Sequence, residues 1–168
     1  MCSSDLRTSS LTTSVNSVTG TLTGASQTLS ISEANGLAVG AANLVASGSA
    51  AQIVVNVAAG NLTGAGSIQA NSGASGITLT TSNGSINMTG AVNAGTAGTA
   101  SLTASGIINL PAAEQITAKT LRSNSVGSTT VGTNIAELSA VVTGAGSTLT
   151  VVERDGFTVL SNTAITNN

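Results

Sequence analysis

Apolar residues in this chain recur at every second position over short stretches, and each stretch ends in Gly, Ser or Asn. The clearest are Thr28–Ser32 (TLSIS), Ile53–Val57 (IVVNV), Ile77–Thr81 (ITLTT) and Ser85–Thr89 (SINMT). Shorter instances are Leu102–Ala104, Ile116–Ala118 and Leu149–Val151. A period of two puts alternate side chains on opposite faces, so these segments are expected to be half-buried strands. No stretch of about 11 residues keeps the i, i+3, i+4 stripe of an amphipathic helix. Thr, Ser, Asn and Gly also favour turns and caps over helix interiors. Only residues 111–121 (PAAEQITAKTL) are ambiguous: Pro111 can open a helical turn, but a loop leading into a strand is the preferred reading.

The chain repeats itself. Residues 13–40 align without gaps on residues 133–160, an offset of 120. The identities are Thr13/Thr133, Thr23/Thr143, Gly24/Gly144, Ala25/Ala145, Thr28/Thr148, Leu29/Leu149, Glu33/Glu153, Gly36/Gly156 and Val39/Val159. These nine matches compare with roughly three expected by chance in so biased a composition. Apolar character is also kept at Val15/Ile135, Val18/Leu138, Leu22/Val142, Ile31/Val151 and Leu37/Phe157. Residues 7–168 are therefore read as about one and a third modules of 120 residues, starting and stopping in mid-module.

Many short strands, glycine-marked corners and a thin aliphatic core fit an all-β parallel β-helix, or β-solenoid. Its coils of roughly 20–25 residues stack at the inter-strand spacing of about 4.8 Å. On that reading a module is five or six coils. The alternative is a β-sandwich, which favours regular strand spacing and cross-sheet aromatics. Phe157 is the single aromatic residue here.

Composition narrows the function classes. Charged residues make up 6% of the 168, against about 25% in an ordinary globular domain, yet 40% are hydrophobic and mean hydropathy is +0.38. Disorder goes with low hydrophobicity and high net charge, so a folded chain is expected. Net charge is −2. Arg7, Lys119, Arg122 and Arg154 are too few and scattered for the basic patch that nucleic acid or an anionic membrane surface requires. No apolar run approaches the roughly 20 residues of a membrane span. The first six residues, MCSSDL, read backwards into DNA as GTG TGC TCT TCC GAT CT, a string that resembles the end of a short-read sequencing adapter. They are read as an artefact and left out of fold reasoning. With them goes Cys2, the one cysteine.

The strings GITLTTSNGSINMTGAV and TASGIINLPAAEQITAKTL resemble the shaft repeats of filamentous-haemagglutinin-like exoproteins and related autotransporter adhesins. So does the repeated ending T-L-(S/T)-(I/V)-x-E-x-(N/D)-G-(L/F)-x-V. The resemblance covers residues 7–168. It implies a right-handed parallel β-helix, export through an outer-membrane secretion partner, and an extracellular or cell-surface stalk. It also implies that any host or neighbouring-cell receptor is met through other domains of the parent protein. The secretion domain of that family carries Asn-Pro-Asn motifs. None is present, and Pro111 is the only proline, so this segment is expected to be shaft.

Catalytic chemistry has little to work with. There is no histidine, which removes His-based triads, general bases and zinc ligands. Solenoid enzymes acting on polysaccharides need converging carboxylates, whereas Glu33, Glu114, Glu137, Glu153 and Asp155 are spread along the chain. No enzyme activity is expected, and no residue is assigned as catalytic, cofactor-binding or metal-ligating. Glu33 with Asn35-Gly36 and Glu153 with Asp155-Gly156 read as corners whose carboxylate accepts local backbone N–H groups, in preference to a weak cation site. Gly64/Gly66 and Gly144/Gly146 read as corner glycines rather than phosphate loops. The sequons at Asn61, Asn83 and Asn87 are of the kind that chance supplies in such a composition. Thr21-Leu-Thr23, Thr78-Leu-Thr80 and Thr148-Leu-Thr150 suggest an alternative function, a Thr-rich surface- or ice-binding face, but their spacings of 57 and 70 are unequal. A solenoid segment with open coil faces is expected to self-associate.

Overall fold

The computed structural model describes residues 9–113 and 115–165; the N-terminal MCSSDL segment and Glu114 lie outside them. The described residues form strands and turns with no helix. The strands in chain order are β1 (Ser9–Thr13), β2 (Ser17–Leu22), β3 (Thr28–Glu33), β4 (Leu37–Ala46), β5 (Gln52–Val57), β6 (Leu62–Gly64), β7 (Ile68–Gln69) and β8 (Gly76–Thr81). They continue as β9 (Ile86–Met88), β10 (Val92–Ala104), β11 (Ile108–Leu110), β12 (Ile116–Ser125), β13 (Thr129–Val142), β14 (Leu149–Glu153), β15 (Thr158–Val159) and β16 (Ala164–Ile165). All strand pairings among them are parallel. Such pairing excludes the sandwich. The protein is a β-solenoid of about seven turns.

Three faces are defined by the stacking. The first runs β1, β3, β5, β8 and then the C-terminal halves of β10, β12 and β13. The second carries the start of β4, then β6, β9, β11, the start of β13, and β14. The third carries the end of β4, then β7 and the N-terminal halves of β10 and β12. Each face sends alternate residues inward. Leu29, Ile53, Ile77, Ala100, Leu121 and Leu138 stack in one column of the first face, and Ile31, Val55, Leu79, Leu102, Ser123 and Ala140 in the next. The resulting core is aliphatic, with Met88 fully buried and Phe157 packed at its margin.

The predicted strands are present, most as parts of longer ones. Residues 111–115 lead as a loop into β12.

Coil length varies. Thr28 stands beside Gln52 and Gln52 beside Gly76, so the numbering advances by 24 at each of these coils, whereas Thr120 stands beside Glu137, an advance of 17. The corner between the third and first faces accounts for four of the seven residues lost. It takes six steps from Ala46 to Gln52, four from Gly95 to Thr99, and two from Ala118 to Thr120. The coils keep three faces and shorten at their corners towards the C-terminal end. The two repeat copies fall on different faces. Leu29 stacks through to Leu138 and Val159 on the first face, whereas Leu149 pairs with Thr129 on the second. An offset of 120 therefore lies between five coils (29 to 138, or 109) and six (29 to 159, or 130).

Glycines permit the corners. A Cβ on Gly84 would sit 1.9 Å from the Gly60 carbonyl oxygen, and one on Gly66 would sit 1.9 Å from that of Gly40. Only a residue without a side chain lets successive coils approach this closely.

Candidate functional surface

Polar side chains in this solenoid do two separate jobs, and the division locates the surface available for recognition. At the corners they fasten one coil to the next. The Asn43 Oδ1 accepts from Ser67 N at 2.7 Å, Asn61 Oδ1 from Ser85 N at 2.9 Å, and Ser85 Oγ from Ile107 N at 3.1 Å. On the second face, Asn109 Nδ2 donates to Asn87 Oδ1 at 3.0 Å. Two of the sequon asparagines, Asn61 and Asn87, are therefore already engaged between coils.

The glutamates follow the same rule. Glu33 accepts the Thr13 hydroxyl and Val15 N (3.0 Å) from the preceding coil, and Asn35 N (3.3 Å) from its own corner. Glu153 repeats the arrangement, accepting Thr133 Oγ1 at 2.8 Å, Ile135 N at 3.0 Å and Arg154 N at 2.8 Å. Both carboxylates bond N–H groups within their own corners, and they also clamp the coil before. Glu137 accepts Thr120 Oγ1 at 2.6 Å and lies 3.6 Å from Lys119 Nζ. Hydrogen bonds to a carboxylate favour its charged form. The Thr13 hydroxyl and then the Val15 N–H hold the Glu33 carboxyl below its ordinary value, against an opposing effect of burial. The Thr120 hydroxyl does the same for Glu137, ahead of the Lys119 charge and, last, that of Arg122.

These carboxylates are fastened separately and do not converge. Among the described residues no group of three or more His, Cys, Asp or Glu is placed to hold a metal ion. Glu114 falls outside the described residues. Gly64 (φ 132°) and Gly146 (φ 69°) occupy left-handed backbone positions at corners, and neither opens a helix. The three Thr-x-Thr motifs are not brought together. Thr21 lies on the third face, Thr78 and Thr80 on the first, and Thr150 on the second.

The first face carries the straight strands β3, β5 and β8. Its strands each turn two positions outward, in the columns Ser30, Val54, Thr78, Ser101, Arg122, Ser139 and Ser32, Asn56, Thr80, Thr103, Asn124, Val141. Asn56, Thr103, Arg122 and Asn124 are exposed, and Ser139 alone in the two columns is buried. Neighbours along a column are one inter-strand spacing apart, about 4.8 Å. Unlike the corner residues, these side chains make no hydrogen bond to the protein. The two columns can offer hydroxyl and amide hydrogen bonds and one guanidinium, while Glu137 at the edge of the face is engaged by Thr120 and Lys119. The sequence did not single it out, because outward residues of different coils become neighbours only once the coil length is known.

No protein-family model, curated protein or solved structure matches this chain. Among the described residues no helix is long and apolar enough to cross a membrane.

Proposed function

We propose that the chain is a structural and adhesive shaft segment of a large secreted or cell-surface bacterial exoprotein, of the filamentous-haemagglutinin-like type, and that it is not an enzyme. The observation that supports this most is the recurrence of one inter-coil clamp, Thr13–Glu33–Val15 and Thr133–Glu153–Ile135, at the two copies of the repeat. A clamp that returns with the module fastens coil to coil wherever the module is repeated, which is how a solenoid gains length by adding near-identical units. The corner hydrogen bonds serve the same end. In this reading the shaft is exported through an outer-membrane partner, stands outside the cell, and carries receptor-binding domains at a distance. It engages neither nucleic acid nor membrane through this segment.

The test is to sequence the source DNA outward from both ends of the coding segment. Further units at the same module spacing behind an export signal are expected. A reading frame that opens at the codon for Arg7 and closes after Asn168 would remove the shaft reading.

A further inference from the structure

On the first face an open cleft of about 300 Å³ runs across the last coils, lined by Ser101, Thr103, Arg122, Asn124, Ser139 and Asn162 among others. Its far wall exists because the last coil departs from the sheet. β15 pairs with Glu137 and Leu138, β16 pairs with Val141 and Val142, and residues 160–163 between them lie off the ladder. Thr163 anchors this excursion, its hydroxyl lying 3.3 Å from both Leu138 O and Ala140 N. Asn162 beside it is exposed.

Two observations point to a ligand. First, the six lining side chains named above make no hydrogen bond or ion pair among the described residues, although comparable residues at the corners bridge coils. Second, the charges are unevenly matched. Lys119 pairs with Glu137 and Arg154 with Asp155, whereas Arg122 makes no ion pair among the described residues and acts on Glu137 only from beyond ion-pair distance. An exposed guanidinium amid uncharged hydroxyls and amides offers a planar fork to one carboxylate, with donors and acceptors around it for ring hydroxyls. The cleft is at the small end of the roughly 300–1,000 Å³ range of ligand sites, which suits one or two sugar rings.

We infer that this cleft binds a carboxylate-bearing saccharide, a uronic acid unit within a glycan, with Arg122 taking the carboxylate and Asn124, Asn162 and the Ser and Thr hydroxyls taking the ring hydroxyls. This goes beyond the shaft reading, since it gives the solenoid wall its own ligand, and it stands or falls independently of it.

The test titrates the whole chain with a galacturonic acid trimer and with an uncharged glucose trimer, using calorimetry and ligand-observed NMR. The acidic trimer is expected to bind with Kd on the order of 1 mM, and the neutral one about tenfold more weakly or not at all. Arg122→Gln should weaken the acidic trimer about tenfold, as should raising the salt, while Lys119→Gln leaves it within about twofold. Asn162→Ala, on the opposite wall, should weaken both trimers. Arg122 and Asn162 are exposed, so both variants keep the fold, which circular dichroism checks. Equal binding of the two trimers, an unaffected Arg122→Gln variant, or no saturable binding of the acidic trimer at about ten times that concentration would each overturn the inference.

Discussion

Gln115 is the polar residue on which most of the local structure converges. It is 4% exposed, and its side chain closes three bonds. Its Nε2 donates to Met88 O at 2.8 Å and to Gly90 O at 2.9 Å, and its Oε1 accepts Ala112 N at 3.0 Å. Two of these bonds cross to the preceding coil, and the third pins the loop that leads into β12. Gln115→Ala strands the two carbonyls, both on buried residues, at about 1–3 kcal/mol each. Ala112 is exposed, so water can replace the third bond and the loss there is about 0.5–1 kcal/mol. The expected destabilisation is about 2.5–7 kcal/mol, a large part of the roughly 5–15 kcal/mol that holds a domain together. Gln115→Glu sharpens the test because it keeps the shape. A carboxylate oxygen would then face two carbonyl oxygens that need donors, so the charged form is opposed in the fold and the introduced carboxyl has a raised pKa. A raised folded-state pKa gives stability that is present at low pH and is lost as pH rises through it. That variant should therefore gain stability on acidification. The assay is urea unfolding followed by far-UV circular dichroism, with hydrogen exchange on β9 and β12, because a stacked-coil protein need not unfold in one step. A Gln115→Ala loss below about 1 kcal/mol, with unchanged exchange in those strands, would refute the reasoning.

Acid should loosen the inter-coil clamps: Glu33 and Glu137 have depressed folded-state values, so their contribution is present above the ordinary carboxylate range and is lost as pH falls through the folded value. An unfolding midpoint that falls in acid for the native chain but falls less for the Glu33→Gln, Glu137→Gln double variant is the expected result; identical pH profiles would count against it. Gly84→Ala should cost about 1–3 kcal/mol or more through overpacking, because the new Cβ meets the Gly60 carbonyl. Gly146→Ala meets nothing within 4 Å and should lose only the roughly 1–2 kcal/mol of its left-handed backbone, so the two thermal shifts compared side by side separate crowding from strain. Ser123 Oγ is buried without a partner, so Ser123→Ala should leave stability unchanged or raise it by about 1 kcal/mol in urea unfolding; a loss above about 1 kcal/mol would reveal a bond to that hydroxyl.

Alternation made the short straight strands legible: Thr28–Ser32, Ile53–Val57 and Ile77–Thr81 sit within β3, β5 and β8. It failed at β13, where Val131, Thr133 and Ile135 point inward and Leu138, Ala140 and Val142 point inward again one step out of phase. The slip at Ala136–Glu137 is where the strand turns from one face to another, and it erases the period-two signal. A finer period is also present in the sequence. Leu44-Val-Ala46, Ile68-Gln-Ala70, Val92-Asn-Ala94 and Ile116-Thr-Ala118 recur at equal steps of 24, and all eight apolar residues are buried. That step does not hold to the end of the chain, where the advance falls to 17, so the offset of 120 is not a whole number of coils. The clamps joining Thr13 to Glu33 and Thr133 to Glu153 were out of reach, because a hydroxyl and a carboxylate so far apart along the chain become neighbours only through the coil register. Gln115 gave no signal either: a lone amide in PAAEQ looks like any loop residue until the coil beneath it is known.

Coil length and core volume change together along the stack, which explains why this solenoid needs neither aromatics nor cysteines in its described core. In the longer coils the inward columns carry Ile53, Val55, Leu62 and Ile68, and then Ile77, Leu79, Ile86 and Val92. Where the corner shortens and the advance falls to 17, inward columns carry Ser123, Ala140, Thr129 and Thr133, all buried. A shorter coil encloses less volume, so these small residues alternate with the buried aliphatics Leu121, Val131, Ile135, Leu138 and Val142. Small residues fit, but several bring hydroxyls that have to be satisfied. Ser125 Oγ donates to Gly127 O at 2.7 Å and lies 2.8 Å from Thr129 Oγ1, and Thr133 donates to Glu153. Ser123 is the one left over. The C-terminal coils thus exchange apolar area, worth about 25 cal/mol per Å², for hydrogen bonds worth about 1 kcal/mol each when made. The core there still holds Leu121, Val131, Ile135 and Leu138, and the inter-coil clamps at Glu137 and Glu153 add polar contacts between coils in that same region.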